Sequence, residues 1–116
     1  MPAYRRVAPS VFITDTDRAL RFYVDTLGFS LEHIDDPPRR VVVTQPLAVL
    51  HLDVEPAKAG SSSIHILVDD LNAVYQRVTD AGATVVQPPT DQPWGLREMI
   101  VTDPDGNVFE IAEPIK

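Results

Sequence analysis

The chain is 116 residues long and 44% hydrophobic, which suits one domain with a buried core, and its lack of cysteine excludes disulfides, thiolate metal ligands and a cysteine nucleophile. A net charge of −7 disfavours nucleic acid as a partner, because contacts to phosphates need clustered Lys and Arg. No apolar run reaches the roughly 20 residues that span a bilayer, and no signal-peptide core follows the first residues, so we expect a cytoplasmic protein with no membrane partner.

The first half of the chain predicts a strand, a helix and three further strands. An alternating strand ends at Ile13, and a cap at Asp15 or Thr16 begins an amphipathic helix that ends before Gly28. The apolar stripe of this helix comprises Ala19, Leu20, Tyr23, Val24 and Leu27. The three later strands are expected near Ser30–Ile34, Arg40–Thr44 and Ala48–Asp53.

The second half predicts the same order of elements. A linker over residues 54–62 (VEPAKAGSS) leads into an alternating strand from Ser63, and Asp69 or Asp70 caps a helix that ends before Gly82. The apolar stripe of this second helix comprises Leu71, Val74, Tyr75, Val78 and Ala81. Its three later strands are expected near Thr84–Gln87, Arg97–Thr102 and Asn107–Ala112.

The two halves are an internal repeat. Asp15 and Asp70 are 55 positions apart, and the glycines after the two helices are 54 positions apart. We therefore predict one α+β domain over residues 1–116, made of two tandem βαβββ modules at about 4–53 and about 63–116 with a linker at about 54–62. The modules should form a cupped mixed sheet rather than a doubly wound parallel sheet.

Strand alternation assigns a set of polar and aromatic residues to the sheet face that points away from the helices. These residues are Ser10, Phe12, His51, Asp53, Ser63, His65 and Glu110. Such a face is too polar for an ordinary core and too apolar for a bare surface, so it fits a groove that receives a ligand. The alternative is a half-solvated sheet face with scattered polar residues.

Three segments of the chain resemble a known superfamily. DTDRALRFYVDTLGF and VDDLNAVYQRVTDAGA resemble its two helices, and PWGLREMIVTDPDGNVFEIAEP is similar to its closing hairpin. The chain is thereby identified as a member of the vicinal oxygen chelate superfamily, which includes glyoxalases, bleomycin resistance proteins and extradiol dioxygenases. The resemblance implies two βαβββ units around one site, and small members that often form homodimers, sometimes with units exchanged between chains.

The resemblance also implies where a metal would lie. Metal-dependent members place ligands on the first and last strands of each unit, which correspond here to Ala8, His51, Ser63 and Glu110. Alanine offers no donor atom, and a neutral serine hydroxyl is a poor ligand for a divalent transition metal. The sequence therefore favours a protein without cofactor at the position that the family's enzymes use.

The favoured interpretation is a metal-free protein that sequesters a small molecule, an antibiotic or similar planar compound, as the bleomycin-resistance members do. Phe12 and Trp94 would stack on a planar ligand. Ser63, His51 and His65 would hydrogen-bond its polar edge, and Glu110 and Asp53 would pair with a cationic group. Trp94 is expected either as a lid or as a hydrophobic plug at a dimer interface or under its own loop.

The alternative interpretation is an enzyme, and the sequence leaves that question open. A shifted site of His51, His65 and Glu110 would be a His₂-carboxylate set that holds one divalent transition metal, for a lyase, an isomerase or a dioxygenase. Without metal, a histidine beside Glu110 would be an acid–base pair for proton transfer.

Overall fold

The computed structural model describes residues 2–116, which form two four-stranded mixed sheets. The first sheet has the strand order β1-β4-β3-β2, with β1 parallel to β4 and the other neighbours antiparallel. Its strands are β1 (Ser10–Ile13), β2 (Ser30–Ile34), β3 (Arg40–Gln45) and β4 (Ala48–Val54).

The second sheet repeats this topology in the order β5-β8-β7-β6, with β5 parallel to β8. Its strands are β5 (Ser63–Leu67), β6 (Thr84–Asp91), β7 (Leu96–Thr102) and β8 (Val108–Pro114). The predicted α+β class with two βαβββ modules is therefore confirmed.

Two helical segments follow the first strands of the modules. The first, α1, is α-helical over Thr16–Leu20 and continues as a π-helix over Arg21–Thr26. The second, α2, is an α-helix over Leu71–Asp80, and a single turn of 3₁₀-helix over Pro56–Lys58 lies in the linker. Among residues 2–116, neither helical segment combines the length and apolar character needed to cross a bilayer.

The π-helical part changes which side chains of α1 are buried. A π-helix closes on the fifth residue, so its residues rotate away from the positions that a 3.6-residue period gives. Tyr23 is fully buried as predicted, but Phe22, which lies outside the predicted stripe, is also buried. Leu20, Val24 and Leu27 are partly buried and pack against the core, so the predicted stripe is confirmed and Phe22 adds to it.

The edge strands depart most from the sequence prediction. The first strand begins at Ser10, so Val7 and Pro9 precede it. Strand β6 was predicted to end near Gln87 but continues to Asp91, through Pro88 and Pro89. An edge strand tolerates proline because one side of it needs no ladder hydrogen bonds, and the register of β6 shifts between Gln87 and Thr90.

The two modules share one hydrophobic core. The aliphatic faces of both sheets contribute Val11, Ile13, Val41, Val43, Leu50, Leu52, Met99, Val101, Phe109 and Ile111.

Tyr23 from α1 packs edge-on against Phe109 of β8, with ring centroids 5.7 Å apart. Its hydroxyl donates a 2.6 Å hydrogen bond to the buried Asp103, so α1 is fixed to the second module as well as to the first. Burial, and to a lesser degree the adjacent Asp103 carboxylate, raises the pKa of Tyr23. The phenol therefore keeps its proton and remains a hydrogen-bond donor.

The free edge of β1 receives hydrogen bonds from side chains of the linker and of the second module. The Ser62 hydroxyl donates to the Ser10 carbonyl at 3.3 Å, and the amide of the fully buried Asn107 donates to the Phe12 carbonyl at 2.8 Å. These bonds replace the ladder that an additional strand would supply, since within residues 2–116 no strand of the first sheet pairs with a strand of the second.

Candidate functional site

Each sheet has one face against the shared core and one face turned away from it, which we call its open face. On the second sheet this open face consists of three cross-strand rows. Leu67, Ala112 and Glu98 form one row, His65, Glu110 and Ile100 form the next, and Ser63, Val108 and Thr102 form the third. The pleat thus places the predicted Ser63, His65 and Glu110 on one surface.

A cluster of one histidine and two carboxylates lies at the centre of this face. Donor atoms of His65, Glu98 and Glu110 all lie within 4.8 Å of one another. His65 Nε2 is 3.4 Å from Glu98 Oε2, and the Glu98 side chain is only 11% exposed. We call these three residues the acidic cluster.

Glu98 was missed by the sequence analysis, although the pattern of β7 contains it. Met99 and Val101 are apolar and fully buried, so Glu98 had to point the other way. The alternative metal set predicted from sequence contained His51 where the structure places Glu98. His51 lies on β4 of the first sheet and is not a member of the group, so the described residues 2–116 do not bring His51, His65 and Glu110 together as one set.

The first sheet carries the remaining predicted site residues on its open face. Ser10, His51 and Val42 form one row, and Phe12, Asp53 and Arg40 form the next. Asp53 is nearly buried, and both of its oxygens accept hydrogen bonds from Arg40, from Nε at 2.6 Å and from an Nη at 3.2 Å. Burial alone would raise the pKa of Asp53, but the hydrogen bonds from Arg40 and Ser10 outweigh it and lower the pKa.

This pairing limits what Asp53 can offer a ligand. A carboxylate whose two oxygens already hold a guanidinium has little capacity left for a second cation. Phe12 is also engaged, because the Lys58 ammonium lies 5.2 Å from its ring centroid. Among residues 2–116 the His51 side chain makes no hydrogen bond, and it is only half-buried, so its ring nitrogens are free to meet a ligand.

An open cleft extends the open face of the first sheet. Its volume is about 750 Å³, within the range of small-molecule sites. The segment before β1 forms one wall with Arg5, Arg6 and Val7, and Ser30, Thr44 and Val49 from one cross-strand row form the floor. Arg6 donates a 2.7 Å hydrogen bond to Glu32, which holds this segment against β2.

Trp94 lies in the turn between β6 and β7 and is 65% exposed. It is therefore not a plug under its own loop, which was one of the predicted roles. The turn precedes β7 directly, and Glu98 is only two residues beyond Leu96, the first residue of that strand. An exposed indole at this end of the second sheet is available to cover a ligand or to meet another molecule.

The positions that hold metal in the family's enzymes offer few donors here. Ala8 precedes β1 and has no donor atom, and Ser63 is exposed with only a hydroxyl. His51 and Glu110 lie on the last strands of the two modules, as the resemblance implies, but they are only two donors of the four. These residues do not fit the four-ligand set implied by the resemblance.

Comparison with known proteins assigns the family. A family model described as "Glyoxalase/Bleomycin resistance protein/Dioxygenase superfamily" matches residues 5–111. The bleomycin resistance protein of Geobacillus stearothermophilus is 27% identical over 130 aligned residues, covering 93% of this chain and 96% of that protein. An uncharacterized protein of Mycobacterium tuberculosis is 28% identical over 127 residues, covering 95% of this chain and 75% of its own length.

Solved structures agree with this match. TnmS3, an antibiotic binding protein from Streptomyces sp. CB03234, superposes with a TM-score of 0.84 at 31% identity and covers 98% of both chains. TioX from Micromonospora sp. ML1 gives a TM-score of 0.84 at 26% identity, covering 97% of this chain and all of its own. Similarity to bleomycin resistance and antibiotic-binding proteins supports a binding protein. The chain belongs to the glyoxalase/bleomycin resistance protein/dioxygenase superfamily.

Proposed function

We propose that this protein reversibly binds a small-molecule antibiotic or similar planar compound, without metal and without changing it chemically. One observation carries the proposal: the open faces hold hydrogen-bonding and aromatic side chains, while Ala8 and Ser63 occupy two of the four positions where the family's enzymes bind metal. The relatives named for bleomycin resistance and antibiotic binding support the same function.

We further propose that the binding unit is a cytoplasmic homodimer. The predicted site residues are divided between the open faces of the two sheets. Large apolar side chains beside both open faces are exposed. These side chains include Leu47, Leu67 and Trp94. A second copy that placed its first sheet opposite the second sheet of its partner would cover them and complete each groove.

Calorimetric titration with bleomycin, daunorubicin and N-acetyldaunorubicin tests the proposal. We expect binding at micromolar affinity and recovery of unchanged ligand by mass spectrometry. Trp94→Ala should weaken binding roughly 10-fold or more, because the loss of about 1 kcal/mol from stacking adds to the loss of the apolar area that the indole buries on the ligand. It should leave the free energy of unfolding within ~0.5 kcal/mol, since the side chain is 65% exposed.

Val86→Ala is the matched control, because Val86 is similarly exposed, at 61%, on the edge strand β6. It should leave both affinity and stability unchanged. No heat of binding from any of the three compounds would contradict the proposed function. Chemical conversion of a bound compound would also contradict it.

A metal-dependent enzyme is the second candidate, and the acidic cluster is the observation that favours it. One imidazole and two carboxylates are ligands that transition metals accept. Elemental analysis of protein purified without chelator discriminates between the candidates. A stoichiometric transition metal that is lost in His65→Ala would favour the enzyme over the metal-free binding protein.

A further inference from the structure

We infer that the acidic cluster of His65, Glu98 and Glu110 selects ligands that carry a protonated nitrogen. This inference rests on the proposed function and names the chemical class of its ligand. It depends on the charge balance of the second sheet's open face and on the apolar side chains around the cluster.

Neither carboxylate of the cluster has an arginine or a lysine as a partner, and the basic residue beside them is His65. Elsewhere in residues 2–116, arginine pairs with Glu32, Asp53, Asp91 and Asp105. Within the same range no arginine or lysine lies within 4.0 Å of Glu98 or Glu110. Arg97 is the neighbour of Glu98 in sequence, but strand alternation turns it to the other side, where it pairs with Asp91 at 3.1 Å.

The burial of Glu98 shows that this excess of negative charge lies inside the fold rather than on its surface. The residue is only 9% exposed, and its one recorded side-chain partner is His65 at 3.4 Å, longer than an ordinary charged hydrogen bond. Glu110 lies diagonally beside it on β8 and has no recorded side-chain hydrogen bond among the described residues. Two adjacent carboxylates, one nearly buried and the other half-buried, favour the entry of a positive charge.

The side chains around the cluster favour an organic cation. Leu67 is 60% exposed in the same row as Glu98, and Ile100 is the partner of Glu110 on β7. This apolar surface would contact the carbon skeleton that carries the nitrogen. Two carboxylate oxygens within 4.8 Å of each other can each accept a hydrogen bond of about 2.8 Å from one ammonium group.

Comparison of daunorubicin with its N-acetyl derivative tests the inference, because acetylation removes the positive charge and leaves the planar rings intact. Titration at pH 7 in EDTA should show roughly 10-fold or greater preference for the amine, the effect expected of charge-assisted hydrogen bonds. Glu98→Gln and Glu110→Gln should each reduce this preference, and the double variant should abolish it.

Glu55→Gln is the matched control: it makes the same change in charge in the linker, where Glu55 is exposed beside Lys58. It should keep the full preference for the amine. Equal affinity for the two compounds in the unaltered protein would overturn this inference and leave the proposed function standing. Absence of binding by all compounds would overturn both. Stoichiometric zinc or manganese that is lost in Glu98→Gln would also overturn the inference, because a metal would then be the cation of the cluster.

Discussion

At the scale of single residues, Asp53 and Glu98 are two nearly buried carboxylates that differ in the partner that balances their charge. Asp53 has its charge matched within the chain by Arg40, through a two-point contact. Glu98 has a histidine, rather than an arginine, as its hydrogen-bonding partner, and a second carboxylate lies beside it. The first carboxylate is therefore expected to contribute to stability, and the second to binding.

The Arg40–Asp53 pair predicts a pH-dependent contribution to stability. Its hydrogen bonds lower the pKa of Asp53 in the folded protein, against an unfolded value of about 3.9. The contribution is thus present above pH ~4 and is lost as the pH falls through the lowered folded pKa. Since Arg40 is half exposed, we expect Asp53→Asn to cost only about 1 kcal/mol at pH 7.

Urea denaturation of the unaltered protein and of Asp53→Asn between pH 2 and pH 7 measures this difference. The two free energies of unfolding should converge at the acid end of the series. Asp91→Asn is the control, because Asp91 is 61% exposed in its pair with Arg97. This substitution should change the free energy of unfolding little at any pH. A constant difference across the series would show that the carboxylate charge of Asp53 does not contribute.

At the scale of elements, the repeat and the strand pattern predicted most of the fold. The bounds of β2 match the prediction at both ends, and the glycines after both helices adopt positive φ. The π-helical continuation of α1 was not predictable from apolar spacing, which assumes 3.6 residues per turn; in it the Phe22 ring lies 6.4 Å from that of Phe109 in the other module. The extension of β6 through two prolines depends on its place at the sheet edge, which spacing alone does not fix.

The linker glycine Gly60 fixes the contact between the linker and the β7–β8 turn. Its φ is +83°, and a Cβ at this position would lie 2.5 Å from the Asp105 carbonyl oxygen. The Asp105 side chain in turn accepts bonds from the Thr14 amide and hydroxyl, and from Arg18. Movement at Gly60 would therefore disturb the junction between the linker, the turn and α1.

Gly60→Ala should therefore destabilise the protein by about 2–4 kcal/mol, measured by chemical denaturation, because strain at positive φ adds to a clash with backbone. Gly82→Ala separates the two contributions, since φ is +78° at Gly82 but nothing lies within 4 Å of the added methyl group. The control should cost about 1–2 kcal/mol, from the backbone strain alone. Equal losses in both variants would mean that the linker moves away from the turn without cost.

At the scale of the whole molecule, the sequence predicted on which sheet face each site residue lies. It did not predict how the open faces of the two sheets are arranged around a ligand. Pleat parity placed His51 on one open face and Glu110 on another. Parity holds within one ladder, however, and the two sheets have no ladder in common. How His51 and Glu110 meet a ligand thus depends on how sheets associate, and a single sequence carries little information about that.

The proposed homodimer makes a prediction that distinguishes shared grooves from grooves within one chain. Light scattering should give twice the 12.8 kDa mass of the chain. His51→Ala impairs only the first sheet, and Glu110→Gln impairs only the second. If each groove pairs the first sheet of one copy with the second sheet of the other, a mixed dimer of the two variants has one groove with both changes and one groove with neither.

Coexpression of the two variants with different affinity tags isolates the mixed dimer, and daunorubicin titration counts its sites. We expect each variant alone to bind weakly and the mixed dimer to recover the original affinity at half of its sites. A mixed dimer of two His51→Ala chains is the control and should recover nothing. No recovery in the mixed dimer would contradict the shared groove, because each copy would then carry one damaged half of its own site.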